Sequence, residues 1–143
     1  ITTALACYFD ARFNPAIRHR EHEMERYKQA VLTHLESVES LAEDRVIRRF
    51  LDLMEATLRT NAYQKDAQGA LKPYLSIKLN SASIPELPLP KPYAEIFVYS
   101  METEGIHLRG DRVARGGLRW SDRPEDFRTE VLGLMKAQMV KNV

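Results

Sequence analysis

The stretch from Ala114 to Val143, ARGGLRWSDRPEDFRTEVLGLMKAQMVKNV, constrains the fold of this chain more than any other. Gly116 and Gly117 lack Cβ atoms and permit positive φ, so the backbone can turn tightly and approach a ligand. A run with apolar side chains at helical spacing follows the glycine pair. The pattern predicts a glycine turn that leads into one long helix.

The long helix is predicted to run from about Arg123 to Asn142. Asp122 and Glu125 have the spacing of a capping box, so we interpret these carboxylates as helix-start residues rather than as an acid–base pair. Apolar residues at helical spacing form the predicted buried stripe of this helix. The stripe comprises Phe127, Val131, Leu134, Met135 and Met139.

Two cations in this stretch are candidates for binding an anion. Arg115 precedes the glycine pair, and a guanidinium can hold a carboxylate with two parallel hydrogen bonds. A solvated arginine beside a tight turn is the alternative. Lys141 lies seven residues after Leu134 and so falls on the predicted stripe, where a lysine needs an anion or a route to water. A lysine that reaches solvent at the helix C-terminus is the alternative there.

The thirty-residue run closely resembles the substrate-domain signature of glutamate dehydrogenases, and more specifically of the large, multi-domain NAD-dependent class of bacteria. The resemblance extends to Pro90–Asp111 as the strands that lead into the run. It implies that Arg115, with Gly116 and Gly117, binds the side-chain carboxylate of glutamate. It also implies that Lys141 binds the α-carboxylate of glutamate or of 2-oxoglutarate, so that one cation holds each end of the substrate.

The resemblance further implies an oligomeric oxidoreductase that interconverts L-glutamate and 2-oxoglutarate plus ammonia with NAD. In that family the catalytic lysine lies in a glycine-rich segment beyond the long helix. No G-x-G-x-x-G dinucleotide motif follows a predicted strand. We therefore expect no catalytic, cofactor-binding or metal-binding residue in the chain, which we expect to be an inactive fragment of the enzyme.

The composition argues against several other classes of protein. Lysines and arginines nearly balance the acids, 21 − 20 = +1, which argues against binding to nucleic acid or a membrane surface. Cys7 is the single cysteine, so no intrachain disulfide forms and no Cys/His cluster predicts a zinc site. These features suit the cytoplasm.

The N-terminal part, residues 1–71, is predicted to be a helical segment. Asn14-Pro15 predicts a break after a first helix. Apolar residues repeated every seven positions predict a helix from there to about residue 39. A capping box that begins at Ser40 predicts a second helix to about Thr60. Together these two helices predict an antiparallel helical hairpin over about residues 15–60.

The rest of the chain, residues 72–143, is predicted to be the N-terminal part of an α/β substrate domain. Alternating side chains predict strands over residues 74–80 and 93–100, and a further hairpin about Gly110-Asp111. The whole chain is therefore predicted to be α+β, with the helical hairpin followed by a small mixed sheet and one long C-terminal helix.

Two other functions fit parts of the sequence. One is a phosphate- or RNA-binding module, because five arginines occur close together: Arg109, Arg112, Arg115, Arg119 and Arg123. Acids interleave with these arginines, and only Trp120 offers an aromatic surface on which a base can stack nearby. The other is a structural adaptor formed by the helical hairpin.

Overall fold

A computed structural model describes residues 1–112 and 119–140 of the chain. Four helices and four strands follow one another in it, with a 3₁₀ turn after the second strand. They are α1 (Thr2–Phe13), α2 (Arg20–Leu35), α3 (Leu41–Ala56), β1 (Thr57–Thr60), β2 (Tyr74–Leu79), β3 (Ala94–Ser100), β4 (Glu104–Arg109) and α4 (Phe127–Val140). The predicted α+β class is confirmed. Among the described helices, none has both the length and the hydropathy to cross a membrane.

The chain divides into two compact units, which we call the helical unit and the sheet unit. The helical unit comprises Ile1–Glu55 and Ala62–Lys72, and the sheet unit comprises Ala56–Asn61 and Pro73–Val143. The division into a helical segment over 1–71 and a substrate-domain part over 72–143 stays a prediction.

The helical unit is built on one apolar cluster with contributions from all three of its helices. Its buried members are Leu5, Tyr8, Val31, Leu35 and Leu51. The predicted break after α1 is confirmed: the Asn14 Oδ1 atom accepts a hydrogen bond from the Ala16 amide at 2.9 Å. The Arg20 guanidinium then donates to carbonyl groups at the C-terminal end of α1 and of Asn14. The second helix consequently begins at Arg20 and not at residue 15.

The start of α3 agrees with its predicted capping box, whereas its end does not. Ser40 Oγ accepts a hydrogen bond from the Glu43 amide at 3.3 Å, and the helix begins at the next residue after Ser40. The predicted continuation to Thr60 is wrong, because Thr57–Thr60 forms β1. β-Branched threonines favour extended backbone, and pairing with β2 satisfies the hydrogen bonds of this strand.

The sheet unit contains a single four-stranded sheet in the order β1-β2-β3-β4, and every described pairing is antiparallel. The strands predicted over 74–80 and 93–100 are confirmed as β2 and β3. β4 pairs with β3, and the turn between them is closed by the Ser100 amide, which donates to the Thr103 carbonyl at 2.8 Å. The partner strand predicted after Gly110 falls mostly outside the described residues.

The helix α4 packs on β4 with a face that includes Val131 and Met135 of the predicted stripe but not Leu134. Leu132 and Met135 are buried against Leu108 of β4, whereas Leu134 is 48% exposed. The predicted start near Arg123 is also wrong, because the residues before Phe127 form turns. Lys141 lies outside the described residues, so its place on a buried stripe stays a prediction.

Candidate functional site

The four predicted substrate-binding residues, Arg115, Gly116, Gly117 and Lys141, lie outside the described residues. The chain on both sides of the glycine pair is described, and so is the helix α4 that leads towards Lys141. The contacts of these flanking segments hold the described chain on either side of the predicted site residues.

Upstream of the glycine pair, the end of β4 is held by its own turn. Arg109 donates from Nη2 to the carbonyl oxygen of Arg112 at 2.5 Å, and the Arg112 amide donates to Asp111 Oδ1 at 2.6 Å. The Arg109 carbonyl accepts from the Tyr93 amide at 2.7 Å, which ties this end of β4 to the start of β3. The C-terminal end of β4, upstream of the glycine pair, is thus held by hydrogen bonds to its own turn and to the start of β3.

Downstream of the glycine pair, two arginines converge on one carboxylate of α4. Arg119 Nε lies 3.1 Å from Glu130 Oε2, and Arg123 Nη2 lies 2.5 Å from Glu130 Oε1. The Glu130 side chain is 17% exposed, whereas the arginine side chains are 55% and 62% exposed. The hydrogen bond from Arg123, aided by the charge of Arg119, holds the pKa of Glu130 below its usual value. We call these three residues the Glu130 clamp.

A second ion pair fixes α4 to the sheet. Arg128 donates from Nε and Nη2 to the two carboxylate oxygens of Glu95, at 3.1 and 2.6 Å. Glu95 lies on β3 and is only 3% exposed, so its charge is compensated chiefly by this bidentate contact. Arg128 therefore takes a sheet-facing position on α4, one turn before Leu132.

Comparison with known proteins identifies the family of the chain. Residues 30–143 match the family model described as "Bacterial NAD-glutamate dehydrogenase, catalytic domain". The chain belongs to this family. The matched range contains Arg115, Gly116, Gly117 and Lys141, and the resemblance stated from the sequence is confirmed.

Relatives in three bacteria carry the name "NAD-specific glutamate dehydrogenase". The Pseudomonas aeruginosa protein is 62% identical over 122 residues, which are 85% of this chain and 8% of the relative. The Halomonas elongata protein is 54% identical over 142 residues, 99% of this chain and 9% of the relative. The Mycobacterium tuberculosis protein is 54% identical over 114 residues, 79% of this chain and 7% of the relative. The chain thus spans less than a tenth of the length of these relatives.

Three of the four described arginines of the arginine cluster contact other groups of the protein through their side chains. Arg119 and Arg123 contact Glu130, and Arg109 contacts a backbone carbonyl. These partners compete with the phosphates that an RNA-binding module has to contact. Trp120 is 84% exposed and stacks on no other described ring.

The helical unit has an open apolar groove between α1 and α3, lined by side chains such as Phe9, Val46 and Phe50. The one carboxylate in its lining, Asp10, accepts hydrogen bonds from the Tyr63 hydroxyl at 2.9 Å and from Asn14 Nδ2 at 2.8 Å. Burial and the contact with Asp10 raise the pKa of Tyr63 to about 12, so this hydroxyl stays protonated at neutral pH. The pair is therefore not tuned for acid–base chemistry.

The described residues contain neither a candidate metal site nor the structural unit that is typical of NAD binding. Within residues 1–112 and 119–140, no group of three or more His, Cys, Asp or Glu side chains is arranged to hold a metal ion. The described sheet is antiparallel and contains no parallel βαβ unit, which is the unit that binds a dinucleotide in the common NAD-binding fold. The described residues do not fit NAD.

Sequence reasoning missed both acidic partners of the arginines. Glu95 shares a strand face with Phe97, and a carboxylate on such a face is a signal that a cation packs against it. Glu130 has no comparable signal, because its partners lie seven and eleven residues away in an irregular segment. Helix-neighbour spacing of three or four residues cannot reveal such contacts.

Proposed function

We propose that the full-length protein that carries this chain is an NAD-dependent glutamate dehydrogenase, which interconverts L-glutamate and 2-oxoglutarate plus ammonia. The observation that carries the proposal is the family match over residues 30–143, which includes the predicted substrate-binding residues. The names of relatives that are 54% and 62% identical to the chain support the same activity.

In the proposed site, the two cations hold opposite ends of the dicarboxylate substrate. Arg115 pairs with the side-chain carboxylate through its planar guanidinium, and the glycine pair lets the backbone approach that end of the substrate. Lys141 pairs with the α-carboxylate. Two fixed ends orient the reacting carbon between them, and orientation of this kind supplies a large part of many enzymatic rates.

When NAD is bound, it is the hydride acceptor of the proposed reaction. We propose that it binds to a part of the protein other than the described residues. The role of the present chain in the reaction is then to bind and orient glutamate. The proposed catalytic lysine likewise belongs to the glycine-rich segment that follows the long helix in this family.

We further propose that the full-length enzyme is cytoplasmic and forms a homo-oligomer. The single cysteine, which excludes an intrachain disulfide, supports a reducing, cytoplasmic location. Analytical ultracentrifugation of the full-length protein tests the oligomer, because a monomer at working concentration contradicts it.

The test of the activity is glutamate-dependent formation of NADH by the purified full-length protein. Lys141→Ala is expected to lower kcat/KM for glutamate by about a hundredfold, because a charged hydrogen bond to substrate is lost. The KM for NAD should not change. Lys136→Ala is the matched control, since Lys136 is an exposed lysine of α4, five residues before Lys141 in the sequence. Absence of NADH formation, or equal effects of the two variants, contradicts the proposal.

A further inference from the structure

The open apolar groove of the helical unit lies between α1 and α3 and has a volume of about 980 Å³. Every lining residue belongs to the helical unit, and both ranges of this unit are described completely. On the α3 side, Phe50 and Val46 are 53% and 55% exposed, whereas Leu51 is buried in the core of the unit. The helix α3 therefore buries one apolar face and leaves a second apolar face at the groove.

The apolar surface continues from the groove over α3. Val46 and Phe50 line the groove and also a neighbouring depression, to which Leu53 contributes. Arg45 and Arg49 line the depression but not the groove, so two cations flank the apolar surface on one side. Arg45 is exposed, and among the described residues it has no ion-pair partner. The surface thus combines apolar side chains with a positively charged border.

The groove suits the side chains of a protein segment better than a small polar molecule. Small-molecule sites combine an apolar lining with a few polar groups that fix the orientation of the ligand. The carboxylate in this lining, Asp10, already accepts hydrogen bonds from Tyr63 and Asn14, at 2.9 and 2.8 Å. Contiguous exposed apolar surface marks contact sites for protein, and an amphipathic helix is a common occupant of an apolar groove.

The length of the relatives indicates where such a helix comes from. The matched residues are 8% of the Pseudomonas aeruginosa protein and 9% of the Halomonas elongata protein, so more than nine-tenths of each polypeptide lies outside the match. A segment of the same polypeptide is present at an effective concentration that reaches the millimolar range when the connection is short and flexible. Such a segment competes well with a separate protein or a second copy for an open groove.

We propose that the groove between α1 and α3 is the docking site for an amphipathic helix from a part of the same polypeptide outside residues 1–143. The apolar side chains of this helix contact Phe50 and Val46, and acidic residues at its border pair with Arg45 and Arg49. Removal of the apolar surface from water stabilises the docked helix. The inference goes beyond the proposed function and does not depend on the activity.

Site-specific photocrosslinking in the purified full-length protein tests the docking. The photoreactive residue p-benzoylphenylalanine replaces Phe50 in one variant and Val46 in a second variant, so the test survives if one of them does not fold. After irradiation, mass spectrometry should identify a cross-link to one acidic helical segment of the same polypeptide. The product should run as a single subunit on a denaturing gel, and its yield should not change when the protein is diluted by about tenfold.

The matched control places the same photoreactive residue at Arg48. Arg48 is exposed and lies two residues from both Val46 and Phe50, on nearly the opposite face of α3. Because this face is turned away from the groove, the yield of the cross-link to the docked segment should be at most about a tenth of that from Phe50.

A charge reversal tests the positively charged border of the site. With the photoreactive residue at Phe50, Arg45→Glu should lower the cross-link yield by about threefold or more, because it places an acid against the acids of the docked helix. Arg48→Glu makes the same change on the other face of α3 and should leave the yield unchanged. Equal yields for the two charge-reversal variants overturn an acidic helix as the occupant.

The remaining outcomes decide which segment fills the groove. A cross-link that joins two subunits assigns the groove to a second copy and overturns the proposal. A cross-link to residues 1–143 of the same chain alone, or yields at Phe50 and Val46 no higher than at Arg48, also overturns it. None of these results affects the assay of glutamate-dependent NADH formation, and absence of NADH formation leaves the cross-linking result intact, so failures of the two proposals are distinguishable.

Discussion

Arg128 and Glu130 lie two residues apart on α4, and the two ion-pair regions that they form differ in their surroundings. Successive residues of a helix are rotated by about 100°, so side chains two residues apart point to nearly opposite faces of the helix. Arg128 faces the sheet and pairs with Glu95, which is 3% exposed. Glu130 pairs with arginines that are 55% and 62% exposed and belong to the segment before the helix.

The difference in burial implies that ion pairs of similar chemistry on one helix contribute differently to stability. Loss of a partner from a buried pair leaves a charge without compensation, which destabilises the fold. Loss of Glu130 leaves arginines that water solvates, so stability changes little. The Glu95 pair therefore holds α4 on the sheet, whereas the Glu130 clamp sets the position of a segment. The comparison predicts a large loss of stability when the Glu95 pair is broken and a small one when the Glu130 clamp is broken.

The largest expected effect on stability comes from Arg128→Met. The substitution leaves the Glu95 carboxylate buried without its cation, and the free energy of unfolding should fall by about 3 kcal/mol. Urea unfolding of the chain, followed by circular dichroism, measures this. The double variant with Glu95→Gln should recover part of the loss, because the buried charge is removed as well. A loss of less than about 1 kcal/mol for Arg128→Met would place the two ion pairs in the same class.

A smaller effect is expected when acid breaks the Glu130 clamp. The pKa of Glu130 is lower in the folded chain than in the unfolded chain. Its ion pairs therefore contribute fully above the unfolded value, about 4.3, and are lost as the pH falls through the lower, folded value. Trp120, the single tryptophan, adjoins Arg119 and reports on the segment.

The fluorescence anisotropy of Trp120 should thus fall as the pH drops below about 4.3, before helicity is lost. In Glu130→Gln chain the anisotropy should already be low at neutral pH and should lack this step. A step of the same size in both chains means that another carboxylate controls the segment.

The smallest effect is that of Glu130→Gln on stability at neutral pH. The urea midpoint should stay within error of the wild-type value, because the lost contacts involve exposed arginines. Urea titrations of this variant and of Arg128→Met, performed together, compare the two ion-pair regions directly. A midpoint for Glu130→Gln as low as that for Arg128→Met contradicts this difference between the two ion pairs.

Local sequence patterns correctly predicted those elements whose own residues indicate the structure, either by alternating side chains or by a helix-breaking pair. The alternation in β2 and β3 and the Asn14 break fall into this group. β1 was missed because Thr57–Thr60 follows a helix directly and becomes a strand through pairing with β2, which is a tertiary contact. On α4, Val131 and Met135 of the predicted stripe do pack in the cluster with Leu108. Leu134 was wrongly included, because Arg128 occupies a sheet-facing position that apolar periodicity does not reveal.

The candidate site depends on a different kind of information. Spacing alone left Arg115 and Lys141 open to a solvated alternative, and the family resemblance supplied their roles. The family is confirmed, whereas the four residue roles stay predictions. Glu130 could not be predicted, since its partners are brought to it by the path of the segment and not by helical spacing.

The central claim is that Arg115 and Lys141 hold opposite ends of glutamate, and substrate selectivity tests it most directly. Norvaline has the same carbon chain as glutamate but lacks the side-chain carboxylate. In full-length enzyme, Arg115→Ala should lower kcat/KM for glutamate by about a hundredfold and leave that for norvaline nearly unchanged. Lys141→Ala should lower both by similar factors. If Arg115→Ala lowers both substrates equally, Arg115 does not bind the side-chain carboxylate and the claim is contradicted.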